Sequence, residues 1–315
     1  MISKKKIAVI IPVYNIGKNI VKFLDLIPDY VDHIYLVDDL CPLNTGNYAL
    51  KNIKNRNKLH VIFNKKNLGV GGAVKIGYLK CLSSNVDIIV KIDGDNQMSP
   101  SEINMLVHPI IFDDYDYVKG NRFLNNTRID NYPKSRFYGN IFLSFITKLS
   151  SGYWDIYDPI NGYTAIKKQC LEKLNLFKID DGYFFETDML FNLYNLKSKI
   201  KDIPVTITYH SDQKQNLSVI RESFNFFFKN LSRIYHRIKI NYFKNNFSLG
   251  SFFVTFFLLS FFMTILYGGY NYIYYHILQS FAPTGVIMFS SISCLVMFLS
   301  LMIFLIIDYL NNPNK

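Results

Sequence analysis

The chain has 315 residues, half of them hydrophobic, and carries a formal net charge of +11 at pH 7. This length accommodates one large α/β domain together with an appendage. Its four cysteines, Cys41, Cys81, Cys170 and Cys294, are widely spaced and have no histidine partners at ligand spacing. The pattern argues against a disulfide framework and a structural zinc site, and favours reduced thiols in a cytosolic compartment.

Strands and helices are predicted to alternate through the N-terminal half. Runs rich in Val and Ile predict strands at Lys6–Val13, Asp32–Val37, Leu59–Asn64, Val86–Ile92 and Tyr115–Lys119, with helices at Lys18–Leu26 and Ala73–Leu82. A further helix is predicted to open at Ser99 with a capping box, in which Pro100 takes the first helical position and Glu102 the third. Repeated β-α units of this length predict a mostly parallel sheet with helices on both faces.

Polar clusters follow three of these strands. They are Tyr14-Asn15, Asp38-Asp39 and Asp93-Gly94-Asp95. In open parallel sheets, ligands bind beyond the carboxyl ends of the strands, so we expect the three clusters to face one site. Two carboxylates one residue apart suit Mg²⁺ or Mn²⁺ bridging the phosphates of a nucleotide, because such ions prefer oxygen ligands and bind through few carboxylates plus substrate phosphates.

Six short motifs occur in the order and spacing of a known family. They are PVYN (12–15), VDD (37–39), NLGVGGAVKIGY (67–78), DGDNQMSP (93–100), KGNRF (119–123) and DPINGYTAI (158–166). On these motifs the chain resembles the family 2 glycosyltransferases with a GT-A fold. Within that family it is similar to the dolichyl-phosphate mannose or glucose synthase branch, which includes the polyprenyl-phosphate glycosyltransferases. The resemblance covers residues 6–240.

The resemblance implies a donor site for a nucleotide sugar. Pro12, Tyr14 and Asn15 match the loop under the nucleotide base, and Asp39 matches the acid that contacts the base or ribose. Gly71 belongs to a glycine-containing segment that either lets the backbone pass close to the donor or makes a tight strand-to-helix turn.

The resemblance also implies a metal site. Asp93 and Asp95 match the D-x-D motif, and Gln97 matches a position that helps to hold metal or phosphate. A cation at the donor's diphosphate would stabilise the leaving group as the sugar's C1 bond breaks. The implied cofactor is Mg²⁺ or Mn²⁺, and Asp93 and Asp95 are the residues expected to be essential for catalysis.

Two arginines and two acidic residues are candidates for binding or activating the acceptor substrate. Arg122 and Arg136 match, in the polyprenyl-phosphate branch, arginines that hold the acceptor's phosphate, for which a planar guanidinium is suited. A lipid phosphate is already anionic and needs little help from a base, whereas a hydroxyl acceptor would need one. Glu186 and Asp188 are the candidate bases, with structural ion pairs as the alternative for either.

Two stretches near the C-terminus are long enough to cross a bilayer. Residues 251–272 and 285–307 are the predicted spans, and all but one of the 35 Lys and Arg residues precede Leu249. The positive-inside tendency then predicts a catalytic domain at residues 1–220 on the cytoplasmic side of the inner or cytoplasmic membrane, and a multi-pass hairpin at 249–310. The hairpin could also pack against copies of itself.

The segment 221–248 is predicted to lie at the membrane interface. Lys229, Arg233 and Arg237 recur every four residues and so share one helical face, with aromatic side chains filling much of the remainder. Such a helix is typical of the membrane interface, where it would lie among the lipid headgroups. Membrane topology accounts for the excess positive charge, so nucleic-acid binding is not predicted.

Together these features predict a membrane-bound enzyme that moves a hexose from a UDP- or GDP-sugar to polyprenyl phosphate at the cytoplasmic face. A neighbouring alternative is transfer to a hydroxyl of a lipid-linked saccharide, with Glu186 or Asp188 as base. An alternative of another class is a non-catalytic membrane scaffold that has kept the fold.

Overall fold

The computed structural model describes residues 5–53, 56–124, 134–206, 219–244 and 247–315. The chain divides into two compact units, the first ending at Ile234 and the second beginning at Tyr235, with Asn314 counted in the first. The predicted domain boundary at residue 220 therefore falls at the start of the helix that closes the first unit.

The first unit is a seven-stranded α/β domain. Its strands are β1 (Ile7–Val13), β2 (His33–Asp38), β3 (Leu59–Phe63), β4 (Ile88–Lys91), β5 (Tyr117–Asn121), β6 (Thr164–Lys167) and β7 (Ile200–Pro204). Its helices are α1 (Asn19–Asp25), α2 (Thr45–Asn52), α3 (Gly69–Leu82), α4 (Ile103–Phe112), α5 (Lys134–Ser151), α6 (Lys168–Glu172), α7 (Phe185–Asn195) and all but the last four residues of α8 (Val219–Ile238).

The strands lie in the order β3-β2-β1-β4-β6-β5-β7. Every pairing is parallel except those of β6, which runs antiparallel to both β4 and β5. The predicted mostly parallel α/β sheet of the GT-A type is confirmed. Strand β6 was not predicted, because four residues are too few to carry a clear alternation of apolar and polar positions.

Apolar residues cover both faces of the sheet. Alternate residues of β1 point in opposite directions, so Ile11 packs in one cluster with Phe23 of α1, and Ile10 in the other with Val74 of α3 and Leu190 of α7. All seven residues of β1 are buried, as expected for a central strand covered by helices on both sides. This two-sided core holds the strand ends in place.

The start of α4 differs from its prediction. Pro100 opens a 3-10 turn, but Ser99 makes no side-chain cap. The Ser99 hydroxyl instead lies 2.7 Å from that of Ser101, and the Glu102 carboxylate accepts the backbone N–H of Thr206. The predicted capping box is therefore wrong, because Glu102 is drawn to the chain beyond β7.

The second unit contains two long apolar helical segments. One runs through α9 (Leu249–Met263), a π-helical turn at Thr264–Gly269 and α10 (Tyr270–Ile277), and the other is α11 (Thr284–Leu310). Both are long and apolar enough to cross a membrane, and only 22% and 11% of their most apolar windows are buried. The predicted hairpin is confirmed as a pair of such helices, each a few residues longer than expected.

Polar groups join the two apolar segments. The hydroxyls of Thr264 and Ser293 lie 2.8 Å apart, and Ser293 also donates to the Ser260 carbonyl at 3.1 Å. Hydroxyl bonds of this kind stabilise helix pairs in an apolar surrounding.

Candidate active site

The D-x-D turn packs directly against the end of β1. A Cβ placed on Gly94 would lie 3.0 Å from side-chain atoms of Val13 and of Ile16. Because β1 is hydrogen-bonded to both β2 and β4, Tyr14-Asn15, Asp38-Asp39 and Asp93-Gly94-Asp95 all follow neighbouring strand ends. The predicted convergence is thus a consequence of strand order.

Asp93 and Asp95 lie in different surroundings. Asp93 is paired with the Lys91 ammonium, whose Nζ lies 2.7 Å from Oδ1 of Asp93. Asp95 accepts the backbone N–H of Gln97 at 3.1 Å. Burial, and then the charge of Asp93, raise the pKa of Asp95 above its ordinary value. A cation bound by the two carboxylates would favour their ionised forms and so lower the pKa of Asp95.

The two aspartates fit a metal that is shared with a substrate. No group of three or more His, Cys, Asp or Glu side chains suited to a metal occurs in the part of the chain that the structure describes. Mg²⁺ and Mn²⁺ commonly bind through one or two carboxylates together with phosphate oxygens. Asp93 and Asp95 could therefore hold such an ion together with oxygens from a bound nucleotide or from water.

Lys91 connects the D-x-D motif to α7. Besides pairing with Asp93, its Nζ donates to Oε1 of Glu186 at 3.0 Å, and the lysine side chain is buried. Burial alone would lower the pKa of Lys91, but the carboxylates of Asp93 and Glu186 raise it above the ordinary lysine value. Gly162 closes over this group, since a Cβ there would collide with Lys91 Nζ and lie 2.6 Å from Asp93 Oδ2.

The loop after β1 is arranged for contact with a ligand. Pro12 is buried within β1 opposite Val37 of β2, whereas Tyr14 is 54% exposed. Asn15 has a φ of +60°, and its backbone N–H lies 3.1 Å from the Cys41 sulfur. The Tyr14 ring thus stands in solvent beside a constrained turn.

Asp39 is buried and its carboxylate is occupied by the protein. It accepts the backbone N–H groups of Leu68 and Gly69 at 2.9 Å and the Asn64 side-chain amide at 2.8 Å. These are amides at the beginning of α3, where a carboxylate acts as a cap. In this structure Asp39 therefore holds the beginning of α3, and its contact with a base or ribose stays a prediction.

The glycine-containing segment is the beginning of α3. Gly69 has a φ of +81°, which fits the strand-to-helix turn. A Cβ on Gly71 would lie 2.6 Å from the Asp180 carbonyl oxygen and 2.7 Å from the Phe185 Cβ. Gly71 therefore permits close approach to the loop preceding α7, so that α3 and α7 are fixed against each other.

Arg122 follows β5 and is engaged by Asp158. Its Nε and Nη2 each donate to one carboxylate oxygen at 2.7 Å, and its backbone N–H adds a third contact at 3.1 Å. The sequence analysis did not foresee this pairing. Arg136, the second predicted acceptor arginine, belongs to α5 but lies outside the residues whose side chains are described.

The two candidate bases have different partners. Glu186 is buried beside Lys91. Asp188 is fully buried, with Arg233 Nε 2.7 Å from its Oδ1 and the backbone N–H of Asp180 donating to its Oδ2 at 2.9 Å. Burial raises the pKa of Asp188, although the Arg233 charge opposes this. We interpret Asp188 as a structural carboxylate, since it has no exposed surface with which to meet an acceptor.

The matching family model is "Glycosyl transferase family 2", and it spans residues 8–174. The chain belongs to glycosyl transferase family 2. The resemblance inferred from the six motifs is thereby confirmed, as are the fold and the prediction of a transferase enzyme.

Curated relatives of this family 2 glycosyltransferase include two named for lipid-phosphate acceptors. The UDP-N-acetylglucosamine--dolichyl-phosphate N-acetylglucosaminyltransferase of Methanococcus voltae is 31% identical over 221 residues, which are 66% of this chain and 87% of the relative. The undecaprenyl-phosphate mannosyltransferase of Micrococcus luteus is 28% identical over 64% of this chain and 83% of its own length.

Among solved structures, the fold matches glucosyl-3-phosphoglycerate synthase from Mycobacterium tuberculosis in complex with Mn²⁺, UDP and phosphoglyceric acid. The TM-score is 0.57 at 18% identity, covering 73% of this chain and 79% of that one. At this identity the match concerns the architecture of the glycosyltransferase, which is the GT-A fold.

Two buried lysines of the glycosyltransferase were not among the predicted site residues. Lys91 and Lys119 end or interrupt otherwise apolar strands, and both lie opposite Thr164 of β6. Lys119 donates to the Asn161 carbonyl, and burial lowers its pKa to about 8. A lysine inside a short apolar strand was the signal available in the sequence, because such a charge must find a partner when buried.

The three regularly spaced basic residues of α8 form ion pairs with carboxylates of the protein. Lys229 Nζ lies 2.5 Å from Asp180, Arg233 pairs with Asp188 in the same unit, and Arg237 pairs with Asp308 in the second unit. The prediction of a basic face at the membrane interface did not include these three ion pairs, and the interfacial position of the segment stays a prediction. The exposed side chains of α8 include Phe224, Phe228, Leu231 and Tyr235.

Proposed function

We propose that this glycosyltransferase moves a hexose from a UDP- or GDP-linked donor to polyprenyl phosphate. The observation that carries the proposal is the pair Asp93 and Asp95 at the carboxyl end of β4, beside a loop with exposed Tyr14. Two carboxylates one residue apart suit a cation that is shared with a nucleoside diphosphate. The relatives from Methanococcus voltae and Micrococcus luteus, which are named for lipid-phosphate acceptors, support the choice of acceptor.

Asp93 and Asp95 would hold Mg²⁺ or Mn²⁺, with Gln97 contributing to the same turn. When bound, the ion would neutralise charge on the departing nucleoside diphosphate as the bond to sugar C1 breaks. The chain's own residues supply the rest of the donor site. Tyr14 would lie against the base, with Pro12 and Asn15 shaping its loop, while Asp39 and Gly71 hold α3 in place.

The acceptor needs no base of its own. One anionic oxygen of polyprenyl phosphate forms the new bond to C1, while the bond from C1 to the donor's diphosphate oxygen breaks and the nucleoside diphosphate leaves. Arg122 and Arg136 would bind the acceptor phosphate, Arg122 with its orientation set by Asp158. Glu186 would act as a base only on a hydroxyl acceptor.

The proposed membrane topology rests on the two apolar segments of the second unit. The two apolar segments would span the bilayer, with the catalytic unit on the cytoplasmic side because Lys and Arg are concentrated before Leu249. The exposed aromatic side chains of α8 suit the interfacial zone, where amphipathic rings are enriched. With this topology the D-x-D site would lie on the same side of the membrane as nucleotide sugars.

The test uses full-length protein in detergent with polyprenyl phosphate, Mg²⁺ or Mn²⁺ and a panel of labelled nucleotide sugars, and follows label into the organic phase. We expect transfer from one donor, reduced about a hundredfold or more in Asp95→Ala and strongly reduced in Arg136→Ala. Donor binding or hydrolysis without lipid labelling would instead favour the hydroxyl acceptor. Absence of donor binding would favour the scaffold alternative.

A further inference from the structure

We propose that Lys91 is a positioning residue that ties the first carboxylate of the D-x-D motif to Glu186, so that α7 is required for binding of metal and nucleotide. The inference rests on the proposed function in one respect only, namely that Asp93 and Asp95 form the donor's cation site. It does not depend on the identity of the acceptor.

The bridge is made by a single buried ammonium. Lys91 Nζ lies 2.7 Å from Asp93 Oδ1 and 3.0 Å from Glu186 Oε1, and the lysine side chain is only 2% exposed. Lys91 and Glu186 are 95 residues apart in the chain and belong to β4 and α7. With two acceptors at hydrogen-bond distance, the ammonium fixes which oxygen each carboxylate turns inward.

The contacts of Lys91 affect which carboxylate oxygens can bind a cation. Lys91 contacts Oδ1 of Asp93, so we expect a cation to meet the remaining lone pairs of Asp93 together with the Asp95 carboxylate. Lys91 also offsets negative charge at a place where Asp93, Asp95 and Glu186 lie close together and a diphosphate must bind. Removing the ammonium would let Asp93 and Glu186 repel each other and move apart.

Gly162 belongs to the same arrangement. A Cβ on this residue would collide with Lys91 Nζ and would lie 2.6 Å from Asp93 Oδ2 and 3.4 Å from Glu186 Oε1. All three members of the bridge therefore lie beneath the chain just before β6. A side chain at position 162 would break the bridge without changing any charged group.

The chain offers a matched control in Lys119. Lys91 and Lys119 lie opposite the same residue, Thr164, on the two strands that flank β6, and both are buried. Lys119, however, donates to the Asn161 backbone carbonyl. Lys119→Met removes a buried ammonium from the same layer of the sheet without removing the link between Asp93 and Glu186.

The experiment measures binding of UDP and GDP to the full-length protein in detergent at a series of Mn²⁺ concentrations, together with the melting temperature. Lys91→Met, Glu186→Gln and Gly162→Ala are each expected to weaken Mn²⁺-dependent nucleotide binding about 10- to 100-fold, as the loss of residues that orient metal ligands does. Lys91→Arg, which keeps the charge, is expected to recover part of the loss. Lys119→Met is expected to change the melting temperature more than nucleotide binding.

Glu186 provides the sharpest readout. A residue that acted only as a base would leave Mn²⁺-dependent binding unchanged when replaced by Gln, and that result would overturn the proposal. In the double variant Lys91→Met/Glu186→Gln, the loss should be no greater than in Lys91→Met alone, because the residues act as one unit. Multiplied losses, or equal losses in Lys91→Met and Lys119→Met, would also overturn it.

The outcome is separable from that of the proposed function. If no polyprenyl phosphate is labelled but the variants still weaken Mn²⁺-dependent nucleotide binding as stated, the acceptor assignment fails and the role of Lys91 stands. If lipid is labelled and the Lys91 and Glu186 variants bind Mn²⁺ and nucleotide like the unmodified protein, the proposed function stands and the role of Lys91 is rejected.

Discussion

Arg122 and Asp158 form a bidentate ion pair, with Nε and Nη2 each 2.7 Å from a carboxylate oxygen. The Asp158 side chain is 2% exposed and that of Arg122 21%. The contact joins the end of β5 to a segment 36 residues further along the chain. The guanidinium is thereby held in one orientation at the edge of the candidate site.

Arg122→Lys is expected to lower kcat/KM for the lipid phosphate about tenfold or more, because an ammonium cannot reproduce the planar fork. Mn²⁺-dependent nucleotide binding should be little affected. Steady-state kinetics with varied acceptor and direct nucleotide binding check this. Asp158→Asn should shift acceptor kinetics in the same direction, and a change confined to the KM for the donor would contradict the assignment.

Gly71→Ala is expected to destabilise the protein by about 1–3 kcal/mol, because the added methyl group overlaps the Asp180 carbonyl and the Phe185 Cβ. Gly139→Ala is the matched control. Among the residues that the structure describes, none has an atom within 4 Å of a Cβ at that helical position, so the replacement should be neutral or stabilising by up to about 1 kcal/mol. Thermal unfolding of both variants in detergent compares them, and equal melting temperatures would contradict the close packing inferred at Gly71.

Asp188→Asn distinguishes the two acids of α7. The Arg233–Asp188 pair has one partner with no exposed side-chain surface, so its loss should cost about 2 kcal/mol or more of folding free energy. Transfer should fall less in Asp188→Asn than in Glu186→Gln when each rate is corrected for folded protein. A larger fall in kcat for Asp188→Asn, without a lower melting temperature, would show that Asp188 meets the reacting groups.

The lowered pKa of Lys119 should make the free energy of unfolding depend on pH. Burial lowers its pKa in the folded protein to about 8 from 10.5, so the unfolded chain binds more protons between these values. Stability attributable to this group should therefore rise from about pH 8 to pH 10.5, by no more than about 3 kcal/mol. Melting temperatures of the unmodified protein and Lys119→Met across this range check the sign, since the variant should lack the rise.

Asp308 stabilises the second unit by pairing with Arg237. The shortest distance between the two groups is 2.6 Å, and both side chains are almost fully buried, while the Tyr242 hydroxyl donates to Asp308 at 2.7 Å. Asp308→Asn should cost about 3 kcal/mol or more, because it leaves the Arg237 charge buried without its counter-ion.

The double variant Arg237→Met/Asp308→Leu tests whether that cost belongs to the pair. It should be more stable than either single replacement, because no charge is then left buried alone. Melting temperatures of the three variants in detergent provide the comparison. Additive losses would contradict a coupled pair.

Several features could be predicted from the sequence because neighbours along the chain determine them. The apolar run of β1, the polar residues that follow β1, β2 and β4, and the uncharged C-terminal segments are all local patterns. Local patterns decide strand, helix and bilayer-spanning length. The six motifs, by their order along the chain, also indicated the family and its GT-A fold.

The partners of the charged residues were decided by the tertiary structure. Lys91 meets Glu186 across 95 residues, and Arg237 meets Asp308 across 71. Spacing along the chain contains no information about such contacts, since strand order and helix packing bring the groups together. For this reason the carboxylate partners of Lys229, Arg233 and Arg237 in α8 could not be predicted.

The sequence by itself thus determined which chemical groups the protein has and which local elements carry them. The tertiary structure decided which groups are buried together, and hence that Asp39 caps α3, that Asp188 pairs with Arg233 and that Lys91 links two candidate site residues. The physical reason is that a buried charge must be paired, and the partner is set by three-dimensional proximity.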